Sequence, residues 1–363
     1  MEVLKMGEMW INREKKREAD RERELESKRV VYMKSDLYPE GEFVPELDAR
    51  LTIFDRGFSI GDSAYEYART YKHNPFQVME HMNRMFSSLK VMRINPGLDK
   101  EKFCALCEEL TVRNISLLKD YEEYNIVWEV TRGEWGWHGR RTPAPEGIGS
   151  PTVIIKNNLN DQKLCAYSFS AGLHVVTPAG RHVNPQSWDP KIKTYSRLNY
   201  VLADFEARLI DPNATALMLD DHGNLSEAIG ANVWLVQEGV LMTPTDRNIL
   251  RGQSRNNVLH LAKKLNIPFE IRDLQPWHLY NCDEAFLSTT CPGPLQPIGR
   301  FNGILIGNEL PGPVTSRLVD AWSEWVGIDI SGMNRLSREE KAAAENERAR
   351  LNEERVRLAH IPY

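Results

Sequence analysis

Two spacings of apolar residues alternate along this chain, one near 3.6 residues and one of two, and each change between them marks an element boundary. Leu198, Val201, Leu202, Phe205 and Ala207 follow the helical spacing, which predicts an amphipathic helix directly after an extended stretch. A second helix is predicted around Phe103, Leu106 and Leu110, and a third over 253–265. Cys104 and Cys107 fall on the apolar stripe of the second helix, so their C-x-x-C reads as core packing. A redox or zinc motif needs a flanking turn or a second ligand pair. Strands are predicted at 125–131, 152–155 and 172–177, around 232–236 and 239–243, and near Phe286. Tyr65, Tyr67 and Arg69 alternate along another, and so face one way.

The polar stretches divide the chain. Residues 13–29 and 337–350 carry almost no apolar side chains, and their mixed charges suit solvated helices held by i,i+4 pairs. The run 156–163 is polar and predicts a linker. The expected organisation is a charged N-terminal extension (1–39), a small α/β domain (40–157), an interdomain linker (158–171), a larger domain (172–330) and a charged helical tail (331–363). At 363 residues, with 41% hydrophobic and 27% charged residues, this is the composition of a globular protein with room for a sizeable core. A net charge of −5 gives no electrostatic footprint for nucleic acid or an anionic membrane. No apolar run approaches a membrane span, no signal-peptide pattern opens the chain, and five cysteines make no disulfide framework. A cytoplasmic, reduced protein with neither nucleic acid nor membrane as partner is the expectation.

Candidate chemistry centres on Lys193, at the junction between the extended stretch and the helix that follows. A lysine there can lose its proton and form a Schiff base with an aldehyde cofactor. Lys191 stands two residues earlier, on the same face of an extended segment, so geometry alone does not separate the two. Downstream come Leu225-Ser-Glu-Ala-Ile-Gly-Ala-Asn232, Gly239-Val-Leu-Met-Thr-Pro244 and Leu250-Arg-Gly-Gln-Ser-Arg255. Upstream are Asp55-Arg-Gly-Phe-Ser-Ile-Gly-Asp-Ser-Ala-Tyr-Glu66 and His81-Met-Asn-Arg84, and later Asp283-Glu-Ala-Phe-Leu-Ser-Thr-Thr290.

This ordered set resembles the class IV pyridoxal-phosphate aminotransferases over roughly residues 40 to 330. The family includes branched-chain and D-amino-acid aminotransferases, (R)-selective amine transaminases and aminodeoxychorismate lyases. The resemblance implies an α/β (α+β) fold of type IV, with a small α/β N-terminal domain, a larger barrel-like C-terminal domain and pyridoxal 5'-phosphate between them. It also implies a homodimer or higher homo-oligomer. By its distance to Val201-Leu-Ala203, Lys193 matches the Schiff-base lysine, and Glu227 matches the partner of the pyridine nitrogen. Arg84, Gly252, Gln253, Ser254 and Thr290, with Thr289 as the alternative to Thr290, match the phosphate cup. Gln253 and Ser254 stand where the family usually has Ile-Thr. Leu250 matches the leucine beneath the ring. His81 reads as an orienting or packing residue. The histidines make no spaced ligand set, so no catalytic metal is expected.

Substrate residues are expected at Tyr65, Tyr67 and Arg69, and in the strand and loop from Val130 to Thr142, through Arg132, Trp137, His138, Arg140 and Arg141. Branched-chain enzymes usually carry a glycine where Tyr67 stands. The run Val130-Thr-Arg-Gly133 resembles D-amino-acid and (R)-amine enzymes instead. The pattern favours a ping-pong transaminase that takes an (R)-amine or D-amino acid as donor and a 2-oxo acid as acceptor. A branched-chain aminotransferase, an aminodeoxychorismate-type lyase and a non-catalytic assembly protein remain as alternatives.

Overall fold

The computed structural model describes residues 15–134, 150–160 and 162–359. The chain forms two compact units, one of Arg17–Asn160 with Ile192–Arg197, the other of Met1–Lys16, Asp161–Lys191 and Leu198–Tyr363. The Lys193 segment therefore belongs with the first unit, whereas the boundaries drawn from sequence put it in the second.

The first unit is built on an antiparallel sheet of β1 (Val30–Ser35), β2 (Tyr38–Pro45), β3 (Ser63–Tyr71), β4 (Asn74–Phe76), β5 (Glu123–Thr131) and β6 (Val153–Asn160), in the order β2-β1-β6-β5-β3-β4. Its helices are α1 (residues 15–26), α2 (Arg56–Ile60), α3 (Val78–Met92) and α4 (Lys100–Ile115). Met82, Met85 and Leu89 of α3 and Phe103 and Leu110 of α4 share one core with Ile126, Trp128 and Val130 of β5. Cys104 and Cys107 lie in that core, where burial pushes the Cys104 thiol up to about 11 and that of Cys107 well above its ordinary value. The turn into β3 is fixed by Asp55. One of its oxygens accepts from Gly57 N–H at 2.7 Å, capping α2, and the other accepts from the hydroxyls of Thr131 and Thr152 at 2.8 and 2.7 Å.

Two expectations are corrected in this unit. The charged N-terminal helix is anchored rather than solvated along its length. Leu25 is fully buried, Arg21 forks onto Glu122 at 3.0 and 2.9 Å, and Glu22 accepts the Leu159 N–H at 2.9 Å. Its charges have partners far along the chain, which helical spacing does not reveal. The polar run read as the start of a linker is the end of β6. Asn157 and Asn160 are buried, bonded to Asn114 and Asn125 at 2.9 Å each, so these polar residues form a paired ladder and not a loop.

The second unit holds β7 (Leu173–Val176), β8 (Thr215–Leu219), β9 (Leu225–Ala228), β10 (Ala231–Gln237), β11 (Val240–Thr243), β12 (Phe269–Ile271), β13 (Glu284–Ser288), β14 (Leu295–Phe301) and β15 (Ile304–Leu305). Strands β10, β13, β14, β7, β8 and β9 pair in that order, and β9 pairs back to β10, closing a six-stranded barrel where the resemblance implies a barrel-like domain. Val175, Leu217, Val233, Leu235, Leu287 and Ile298 fill one core. Helices α5 (Cys165–Ser170), α6 (Leu198–Ile210), α7 (Gln253–Lys264), α8 (Pro276–Tyr280), α9 (Pro313–Val326) and α10 (Arg338–Ala359) complete the unit. The C-terminal helix is tied down as well, with buried Arg355 donating to the carbonyls of Ile306 and Gly299 at 3.2 Å each. Helix α6 forms where its spacing predicts, yet it buries only Tyr200, Ala203 and Ala207, and leaves Phe205 63% and Leu209 88% exposed. Among the described residues no helix is long and apolar enough to cross a membrane.

Candidate active site

In the first unit, residues 192–197 run beside the start of β3. Tyr65 N–H donates to the Lys193 carbonyl at 3.0 Å, Thr194 Oγ1 donates to the Ser63 carbonyl at 2.8 Å, and Lys193 N–H donates to Ser88 Oγ at 3.1 Å. The backbone of the lysine is thus held from both sides. Its side chain is buried, with Nζ 4.5 Å from the centroid of the Tyr65 ring and no hydrogen-bond or ion-pair acceptor among the described residues. Lys191 differs. Its Nζ pairs with Asp189 at 3.0 Å and lies 3.4 Å from the Asp246 carbonyl.

Tyr65 is gripped by its neighbours. Tyr195 stacks on it at 4.0 Å, Tyr67 meets it edge-on at 5.9 Å, and Arg197 Nη1 donates to its hydroxyl. Tyr195 in turn donates to Glu129 at 2.9 Å, and Glu129 pairs with Lys156 at 2.8 Å. Burial, with Glu129 nearby, raises the Tyr195 phenol and keeps it a donor. Arg69, farther along the same face of β3, stacks on Tyr71 at 4.3 Å.

The opposite face of β3 carries Glu66, which is fully buried and accepts Arg84 Nε at 2.7 Å and Nη2 at 2.6 Å. Burial alone would push this carboxyl up, but Arg84 outweighs it and holds Glu66 well below the usual carboxylate range. His81 Nδ1 lies 3.5 Å from Glu66 without a hydrogen bond. Burial lowers the His81 pKa against the pull of Glu66, which raises it, and Arg84 and Lys193 push the same way as burial. His81 is therefore a neutral packing neighbour of the ion pair. Arg132 sits elsewhere, forked onto Asp62 at 2.7 and 3.1 Å and donating to the Met92 and Arg93 carbonyls.

In the second unit Glu227, on β9, is buried and richly bonded. Tyr200 donates to its Oε1 at 2.7 Å, while Asn232 Nδ2 and Leu250 N–H donate to Oε2 at 3.0 and 2.8 Å. Burial opposes ionisation, yet His182, Tyr200 and the Leu250 N–H outweigh it and keep the pKa lowered. A carboxylate has about four acceptor positions, so Oε1 retains capacity for one more donor. Asn232 also donates to the Leu250 carbonyl at 3.0 Å, which holds the turn into α7. That helix starts at Gly252 with no side-chain cap, and Ser254 Oγ bonds the Thr289 carbonyl at 2.9 Å. Thr289 Oγ1 is itself bonded to the Gly230 carbonyl at 2.7 Å.

The donor set fits the cofactor that the motifs imply. Each unit carries groups that suit a part of it: in the first, an amine with no acceptor among the described residues suits an aldehyde, and in the second, an ionised carboxylate suits a protonated ring nitrogen and an uncapped helix start suits a phosphate. Among the described residues no cluster of three or more His, Cys, Asp or Glu could hold a metal ion. Trp137, His138, Arg140 and Arg141 lie outside the described residues. His182, Tyr195, Arg197 and Tyr200 were not anticipated from sequence, and Glu66 closed a quoted motif without an assigned part. Asn232 stood in a quoted motif without an assigned part.

The described family "Amino-transferase class IV" matches residues 63–298. A putative branched-chain-amino-acid aminotransferase of Methanocaldococcus jannaschii is 30% identical over 290 residues, covering 79% of this chain and 95% of that protein. A D-alanine aminotransferase of Listeria monocytogenes is 28% identical over 274 residues, covering 75% and 89%. The branched-chain aminotransferase of Thermobaculum terrenum, solved in its PLP form, has the same fold, with a TM-score of 0.71 at 23% identity over 86% of this chain and 98% of that one.

Proposed function

From the premise that the chain belongs to the class IV aminotransferases, whose cofactor is pyridoxal 5'-phosphate, we propose that Lys193 is the catalytic residue and that the donor is an (R)-amine or D-amino acid. The observation that carries the assignment of Lys193 is the amine of its buried side chain, set against the Tyr65 ring with no acceptor among the described residues, beside an ion-paired Lys191. When bound, the cofactor supplies an aldehyde that condenses with amines and a ring that accepts carbanion charge. Lys193 Nζ moves the proton to and from the substrate α-carbon as general base and acid. Glu227 holds the ring nitrogen protonated. Arg84, fixed by Glu66, and the start of α7 at Gly252, Gln253 and Ser254, with Thr289 and Thr290, hold the phosphate, and Leu250 supports the ring.

The donor class is supported by Tyr67, whose ring stands against Tyr65 on the face of β3 that also meets Tyr195. An aromatic wall there fills space that a glycine leaves open for a branched side chain. Tyr65 and Tyr67 line the donor side in this reading. Arg69 and Arg132 have their guanidinium groups engaged with Tyr71 and Asp62, which suits support of that wall better than substrate contact. A branched-chain donor is the second reading, favoured by the names of the archaeal relative and of the similar structures. A panel of D-alanine, (R)-1-phenylethylamine and L-leucine with one 2-oxo acid separates the two. Turnover of the first two in preference to L-leucine is expected, and preference for L-leucine would overturn the donor class.

At least a homodimer is also proposed. The exposed seam of Leu198, Leu202, Phe205 and Leu209 on α6 is spaced 4, 3 and 4 residues apart, the spacing by which helices of two copies pack.

A further inference from the structure

Behind Glu227 lies a buried chain of donors that the reaction outlined above does not use. His182 precedes α6 and Tyr200 lies on it, and both are buried. The Tyr200 hydroxyl donates its one proton to Glu227 Oε1, so its short contact with His182 Nε2 requires the proton to sit on Nε2. Nε2 is also 3.4 Å from Glu227 Oε1. The other ring nitrogen, Nδ1, is buried with no hydrogen-bond partner among the described residues. What sets His182 apart is Nε2, which reaches both the Tyr200 hydroxyl and Glu227 Oε1 and so aims its donor at the Tyr200–Glu227 bond.

We propose that His182 and Tyr200 are positioning residues that hold Glu227 as an oriented carboxylate, so that the proton it shares with the cofactor's ring nitrogen stays on the nitrogen. This inference rests on the reading of Glu227 as the partner of that nitrogen. A carboxylate that accepts from Tyr200, Asn232 and Leu250 N–H is a weaker base than one stripped of a donor in a dry site. Loss of the Tyr200 donor strengthens Glu227 as a base and draws the shared proton from the ring. The titratable and charged groups that act on Glu227 are His182, Tyr200 and Arg255 of α7, while Asn232 of β10 and the Leu250 N–H are neutral donors.

The test is the nitrogen-15 shift of pyridoxamine 5'-phosphate, labelled at the ring nitrogen and bound to the full chain, followed against pH. Tyr200→Phe is expected to move the shift on the acid side of the titration from the pyridinium value towards the unprotonated one, because the pair keeps its proton but places it more on Glu227. His182→Phe should move it the same way by less, and His182→Gln, which keeps a donor, should stay nearer the wild type. A purely structural part for these residues would weaken binding without moving the titration. Variants that bind the ligand and titrate as the wild type does overturn the inference, as does loss of binding in both Phe variants. Glu227→Gln separates the two levels, because a wild-type titration in that variant would sink the reading of Glu227 itself.

Discussion

Glu66 and Glu227 are both buried carboxylates, and each stays charged for a different reason. Glu66 has a guanidinium fork, whereas Glu227 has a ring of mostly neutral donors. The difference matters on mutation. Glu66→Gln leaves Arg84 without its buried counter-charge, which should cost roughly 3–5 kcal/mol of folding stability at neutral pH. The pH dependence has a definite sign. The folded-state pKa of Glu66 is depressed, so its contribution is fully present above the unfolded value of about 4.3 and is lost as pH falls towards the folded value. Denaturant unfolding at neutral and acid pH should therefore show the wild type losing stability more steeply than Glu66→Gln below about pH 4. Parallel curves would mean that the ion pair contributes nothing to folding.

At the scale of elements, β9, β10 and the start of α7 are joined through Asn232, which reaches Glu227 and the Leu250 carbonyl. Gly252 makes the approach possible. A Cβ there would come within 2.1 Å of Asn232 Oδ1. Gly252→Ala should destabilise the protein by about 1–3 kcal/mol and weaken cofactor binding, because the turn that carries Leu250 must shift. Gly180→Ala, whose Cβ would meet only Glu206 at 4.0 Å, is the control. Equal effects of the two changes would show that the turn tolerates the side chain. These joints also show how far sequence reading reached. The α7 start and the lysine before α6 were legible because each is a local pattern, and Glu227 was legible through its motif, although the strand that carries it was not predicted. The partners behind Glu227 and Arg84 were not legible, since Tyr200 lies 27 residues from Glu227 and Glu66 lies 18 from Arg84. Periodicity located α6 but could not say what covers its apolar face. The polar end of β6 was misread for a related reason, because a buried asparagine and an exposed one look alike in sequence.

For the molecule as a whole, the charged ends are anchored parts of the fold, through Arg21 and Glu122 at one end and Arg355 at the other. The exposed apolar seam of α6 is then a surface that calls for a partner. Sedimentation should give a dimer or larger, and Phe205→Asp with Leu209→Asp should shift it to monomer, whereas an active wild-type monomer would refute the interface. The central claim is that this is a class IV aminotransferase working through Lys193. Borohydride reduction of the cofactor-loaded protein followed by peptide mapping tests it most directly. The account predicts the reduced cofactor on Lys193, with Lys191 unlabelled, and label on Lys191 would contradict it.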